Sequence, residues 1–284
     1  MKKIISPILI IFLLLLSFFY TNKSISILKN IDPIMKTIKK SKEKYEINPI
    51  NAQIIGENII SGKNGKTIDY EQSYNKMKRY GNYNESLTTL KETIPTVSIF
   101  NNYNKYIVSG NKINRNISLV FKVEENTNIN KILNILKNNK TSATFFIDAK
   151  LLETNLSLIN QMQEHELEIL NYDKKIDKNI FKSSITYLES ITNEETAFCY
   201  TEEENKELLK ICAELKLHTI KPTLLINENY YKTIKENLSN SIIISLTPTI
   251  KLENELSSII NYIKSKGYNL VKLKDLVSEK LEEN

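Results

Sequence analysis

The spacing of apolar residues changes along this chain, and each change predicts a different kind of structure. Residues 4–20, IISPILIIFLLLLSFFY, form an unbroken apolar run behind Lys2 and Lys3. As a helix the run reaches about 25 Å, just short of a hydrocarbon core of about 30 Å. A signal peptide starts the same way, with a cationic end and an apolar middle. This run, however, leaves through Phe18, Phe19, Tyr20, Thr21 and Asn22 instead of small residues, and aromatic residues suit a membrane interface. The pattern predicts an uncleaved single-pass anchor over residues 1–20, at the cell membrane, with the bulk of the chain extracytoplasmic. Residues 21–50 hold the charged run TIKKSKEKYE and predict a stalk.

Residues 51–112 read as a small α+β region. Five of the six glycines lie there, and short apolar pieces alternate with turn signals such as SGKNGK,. Tyr70, Tyr74 and Met77 recur at helical spacing, so a helix is expected from Tyr70 to Tyr80, ended by Gly81.

From residue 113 to 284 the pattern is strand, helix, strand. Apolar runs suited to buried strands are ISLVF (117–121), ATFFI (143–147), LEIL (167–170), TAFCY (196–200), TLLI (223–226), IIISL (242–246) and NLVKL (269–273). Between several of them lie helical stripes: Ile129, Ile132, Leu133 and Leu136; Leu151, Leu152, Leu158, Ile159 and Met162; Leu208, Leu209, Cys212 and Leu215; Leu256, Ile259, Ile260 and Ile263. This alternation predicts an α/β fold with parallel strands. Seven strands in this length fit a compact, TIM-like β/α barrel, whose chemistry would sit at the carboxyl ends of the strands.

Composition adds little to this picture. Hydrophobic residues make up 41% and charged residues 25%, so a packed core is expected,. The net charge of +6 is spread over interspersed Lys and Glu, with no arginine-rich run or aromatic ladder, so nucleic acid is not an expected partner. Of the two cysteines, Cys199 and Cys212, the second falls on an apolar helical stripe. A buried free thiol is the expected state, although an exported protein can oxidise the pair.

Two stretches carry a family resemblance. ISLVFKVEEN with INKILNILKNNKTSATFFIDAKLLETN, and SIIISLTPTIKLENELSSIINYIKSKGYNLVKLKDLV, resemble the opening and closing pieces of the NodB-homology polysaccharide deacetylases. The resemblance spans residues 116–277 and implies that family's distorted seven-stranded β/α barrel. It also implies a zinc or other divalent ion held by one Asp and two His, an Asp base and a late His acid. Such a metal lowers the pKa of bound water and polarises the acetyl carbonyl. The base takes the water's proton, and the acid protonates the departing amine.

Carried over by position, the chemistry is lost. Phe121 matches the Phe of the family's Thr-Phe-Asp-Asp motif, but Lys122 stands at the base and Val123 at the metal Asp. In LEILNYD, Glu168, Ile169 and Asn171 match the second motif, while Tyr172 and Ile176 replace the metal histidines. Phe198-Cys199-Tyr200-Thr201 stands for Phe-Arg-Pro-Pro, without the Arg. Leu246 replaces the acid His, and Thr247 the Asp after it. His165 and His218 are the only histidines, and neither has a His partner at metal-ligand spacing. Glu124, Glu125 and Asp173 lie at predicted strand exits and offer a carboxylate-only site for a hard cation. Exposed loop carboxylates are the simpler reading.

The expectation is a deacetylase-like protein with no catalytic residues, no cofactor and no metal. Its old cleft would offer Lys122, Glu124, Tyr172, Asp173, Tyr200 and Thr247 to a cell-wall glycan or an envelope protein. The alternative is a divergent metal-dependent hydrolase removing N-acetyl groups from cell-wall polysaccharide. A third reading is an interaction module whose cleft is filled by Val123, Ile176 and Leu246.

Overall fold

The structure is a computed structural model. It describes residues 2–124, 127–170 and 177–281, with residues 2–10, 22 and 24–26 by backbone alone. The chain divides into two compact units, residues 1–49 with 65–93, and residues 50–64 with 94–284.

The first unit is built from helices and one two-stranded antiparallel sheet. Helix Lys2–Ile31 is followed by helices Pro33–Lys40, Lys42–Tyr45 and Tyr70–Tyr80, with strand Gly65–Ile68 antiparallel to Leu90–Thr93. Asp32 caps the second helix by accepting from the Ile34 amide, and proline opens its first turn,. The expected helix from Tyr70 to Tyr80 forms as read. Asp69 caps its start, and Gly81, at φ 96°, closes its end through a bond to the Met77 carbonyl,. Met35, Ile38, Ile68, Tyr74 and Met77 make the core of this unit.

The single-pass anchor, and the membrane localisation that rested on it, are overturned. Among the described residues, no helix is long and apolar enough to cross a membrane. Helix Lys2–Ile31 runs through the apolar stretch of residues 4–20. The helix then continues through Lys23 and Lys29 to Ile31.

The second unit is α/β with mainly parallel sheets. One sheet runs Leu224–Ile226, Ile243–Leu246, Asn116–Val123, Thr144–Asp148, Glu166–Leu170, all parallel, and Asn269–Leu270 pairs with the start of the central strand. The other runs Gln53–Ile55, Asn58–Ile60, Tyr106–Ser109, His218–Ile220, Phe198–Tyr200. All seven strands read from the sequence are present. Strand His218–Ile220 was not expected. The hydrogen-bond ladders define two sheets, not one closed cylinder.

Strand pleating sorts the core. On the central strand Ile117, Leu119, Phe121 and Val123 join the helix-side cluster, with Ile132, Leu136, Leu256, Ile259 and Ile263 from the covering helices,. Val120 faces a second cluster that draws Phe146, Leu170 and Ile243 from one sheet and Phe198, Tyr200 and Ile220 from the other. Between strands Glu166–Leu170 and Phe198–Tyr200 a side chain supplies the polar link. The Glu168 carboxylate accepts from the Ala197 amide at 3.0 Å and the Phe198 amide at 3.1 Å.

The cysteines also differ from expectation. Cys199 turns to the helix side of its strand, opposite Phe198 and Tyr200, and meets Cys212 on helix Lys206–Glu214. The two form a disulfide with Cα atoms 6.4 Å apart, which lies within the normal disulfide range. The apolar stripe correctly placed Cys212 inside, but it carried no sign of the strand residue it would face.

Candidate functional site

The site is built on neighbouring strand ends. Leu246 pairs in register with Phe121, and Lys122 with Phe146, so the expected base and acid positions fall on adjacent strands. Alternation then decides where each side chain goes. Val123 and Leu246 are both fully buried in the helix-side cluster. Lys122 belongs to the opposite face, the side of Val120, and is 8% exposed.

The Lys122 ammonium donates to the carboxylate of Glu202, just beyond strand Phe198–Tyr200. An ammonium has three donors and no acceptor, so it cannot take a proton from water. Beside it, the Tyr200 hydroxyl and Ser245 Oγ are 2.7 Å apart, and the Tyr200 ring lies 5.1 Å from Phe146. Tyr200, expected to line an open cleft, is 2% exposed. Its ring fills the space between the sheets and its hydroxyl is engaged.

The other expected residues are dispersed. Thr247 is half-buried and donates to Asn227 Oδ1 at 2.7 Å. Glu124 is exposed, and its amide donates to Thr127 Oγ1. Glu125, Tyr172, Asp173 and Ile176 lie outside the described residues. Neither Glu202 nor Ser245 was expected as a partner. The signal for Glu202 was the pairing of changes: a cation gained at 122, and a third motif without its arginine.

Neither histidine is at the strand mouth. His165 directly precedes strand Glu166–Leu170 and His218 opens strand His218–Ile220, so both stand at amino ends. Burial lowers each pKa to about 4, which keeps them neutral. His165 Nδ1 accepts from the Ala143 amide at 3.3 Å. His218 stacks on Tyr103 at 4.3 Å, and neither of its ring nitrogens has a partner among the described residues. A shared His-His-Asp site is therefore not formed by these two. Among the described residues, no three His, Cys, Asp or Glu side chains stand together as a metal site. Of the three expected metal positions only Val123 is described, and its buried aliphatic side chain offers zinc no ligand.

Comparison with known proteins agrees with this geometry. A polysaccharide deacetylase family model matches residues 109–173. Wild-type BA3943 of Bacillus anthracis, described as a CE4 family pseudoenzyme, is similar with a TM-score of 0.64 at 22% identity, over 88% of this chain and 97% of that one. This chain carries the fold of the polysaccharide deacetylases. A BA3943 mutant with restored enzymatic activity is similar at a TM-score of 0.65 and 22% identity, over 88% and 100% of the two chains. The uncharacterized protein YlxY of Bacillus subtilis (strain 168) is 24% identical over 280 residues, covering 90% of this chain and 87% of the relative. The deacetylase fold thus extends well beyond the segment that the family model matches.

The deacetylase scaffold keeps one polar group from its motifs in a structural task. Glu168, which matches the second motif's glutamate, is 1% exposed and ties two amides of the neighbouring sheet. Burial raises its pKa well above the ordinary carboxylate value, the nearby Glu166 adding to the effect against the opposing amide bonds.

Proposed function

We propose that this chain is a catalytically silent deacetylase-like protein that binds cell-wall glycan or an envelope partner. We further infer that its two sheets are the halves of a distorted barrel whose mouth is the former catalytic end. The observation that carries the reading is the Lys122–Glu202 pair. A cation occupies the place where the family's chemistry needs a proton acceptor, and a carboxylate from the next loop holds it there. With Val123 and Leu246 turned into apolar packing, the Lewis acid and the leaving-group acid lose their side chains as well,. The similarity to a CE4 family pseudoenzyme supports the same reading.

The test uses the full chain, with and without added zinc. It measures bound metal, acetate release from N-acetylglucosamine oligomers, and retention on insoluble peptidoglycan. The expected result is no stoichiometric zinc, no acetate, and retention on the polymer. Stoichiometric metal together with acetate release overturns the silent assignment. Loss of retention, with no envelope protein crosslinked in its place, overturns the binding role.

A further inference from the structure

The amino ends of the strands carry a second polar site, away from Lys122. Strand Glu166–Leu170 begins directly after His165, and helix Lys178–Thr192 ends nearby. A depression of about 130 Å³ is lined by Gln163, His165, Leu167, Thr192 and Glu194. Sites for larger organic ligands usually measure about 300–1,000 Å³. This one holds a single small group, such as one edge of a sugar ring.

His165 sets the chemistry. It is 7% exposed, with the edge of its ring against Phe145 at 5.1 Å. Its Nδ1 accepts the Ala143 amide proton, and burial keeps the ring neutral above a pKa of about 4. A neutral imidazole whose Nδ1 is an acceptor carries its proton on Nε2. That Nε2–H has no partner among the described residues, and it is not one of the sealed, unsatisfied core atoms. His165 is one of the residues that line the depression. Glu194, also on the lining, accepts from Lys274 Nζ at 2.9 Å. This ion pair lowers its pKa, so its carboxylate is ionised and has lone pairs to spare.

A fixed donor and an ionised carboxylate select among ligands. An anion finds a donor in His165 but only an acceptor in Glu194, whose charge Lys274 and Lys272 offset. A metal ion needs the Nε2 lone pair, which the Ala143 bond denies by holding the proton on Nε2. An ammonium leaves the Nε2–H without an acceptor. A hydroxyl both accepts and donates, and neighbouring hydroxyls on one ring satisfy both groups. We propose that this depression is a subsite for one saccharide residue, holding its hydroxyls between His165 Nε2–H and the Glu194 carboxylate. The subsite is separate from the strand mouth and does not depend on how the mouth functions.

The chain has only two histidines, so ¹⁵N-histidine labelling of the full protein reads the site directly. His218, closed in by Tyr103 and Phe100, is the internal reference. Long-range proton–nitrogen spectra should show His165 as the Nε2–H tautomer. N-acetylglucosamine should move the His165 signals saturably and leave His218 in place. Glu194→Ala, on an exposed side chain, should weaken that response roughly tenfold, in line with one lost charge-assisted hydrogen bond. An unchanged His218 signal will show that the variant is folded. The proposal is overturned if the sugar leaves His165 unmoved, if Glu194→Ala responds like the parent, or if inorganic phosphate competes at equal strength.

Discussion

The ammonium of Lys122 and the carboxylate of Glu202 meet where strand Asn116–Val123 ends and the loop after Phe198–Tyr200 begins. Their side chains are 9% and 35% exposed, so the lysine is the partner that depends on the pair. Truncating Glu202 strips a largely buried ammonium of its carboxylate. Glu202→Ala should cost about 1–2 kcal/mol, below the ~3–5 kcal/mol of a fully buried pair because the glutamate is partly solvated. Lys122→Asp, which restores the acid expected of a deacetylase, sets two carboxylates against each other and should cost at least as much. Lys122→Asp with Glu202→Lys should recover most of that loss. Urea unfolding of the parent, Lys122→Asp, Glu202→Lys and the double swap measures the coupling, and additive losses of the two single variants would refute it.

Glu168 offers a sharper contrast between isosteres. Because its folded pKa is raised by burial, the carboxyl holds its proton to a higher pH in the fold than in the unfolded chain. Its contribution is therefore fully present at acid pH and falls as pH rises toward the folded pKa. Glu168→Gln keeps an acceptor for the Ala197 and Phe198 amides and cannot ionise. It should match the parent near pH 4.5 and exceed it at pH 7. Glu168→Ala orphans two buried amides and should lie about 2–4 kcal/mol below Glu168→Gln at every pH. Thermal melts across that range separate the three. Equal pH profiles for parent and Gln would refute the argument.

Much of the fold was legible because strong periodicity survives in the framework. Tyr70, Tyr74 and Met77 at helical spacing, with Gly81 behind them, fixed a helix to its end residues. The apolar runs fixed seven strands. Strand His218–Ile220 was missed because it has three residues, one of them polar and one ionisable. It is held by neighbours on both sides, Tyr106–Ser109 and Phe198–Tyr200, which no local pattern reveals. The site was legible as a set of lost residues and not as new pairings. Lys122 has its carboxylate 80 positions away, and Tyr200 has Ser245 45 positions away. Such partners depend on which strands become neighbours. The anchor was expected from the apolar run alone, whereas helix Lys2–Ile31 continues past that run through Lys23 and Lys29.

The two histidines should make the fold sensitive to mild acid. Each is neutral when folded, with a pKa lowered to about 4, against about 6.5 in the unfolded chain. Unfolding takes up a proton at each between those values. Their contribution is full above pH 6.5 and is lost as pH falls toward 4, while Glu166 and Glu168, both raised by burial, work in the opposite sense,. His218→Phe keeps the contact with Tyr103 and removes one of the two sites. Relative to the parent it should gain about 2–3 kcal/mol between pH 7 and pH 4. A constant difference between the two proteins across that range would show that His218 titrates normally.

Cys199 and Cys212 close a short loop that contains Glu202, the partner of Lys122. The bridge ties the strand that carries Tyr200 to the helix that covers it, and both sulfur-bearing residues are fully buried. Denatured, unreduced protein should therefore show no thiol to a colorimetric thiol reagent, and two after reduction. A bridge across 13 residues should contribute about 3 kcal/mol through the restricted unfolded chain. Cys199→Ala with Cys212→Ala should lose about that much, plus a smaller packing loss at two buried positions. The loss should fall on the Lys122 side too, because a looser loop holds Glu202 less firmly. In the double alanine background, Glu202→Ala should then cost less than it does in the parent. If Glu202→Ala costs the same in both backgrounds, the bridge and the ion pair are independent. If two thiols react before reduction, there is no bridge.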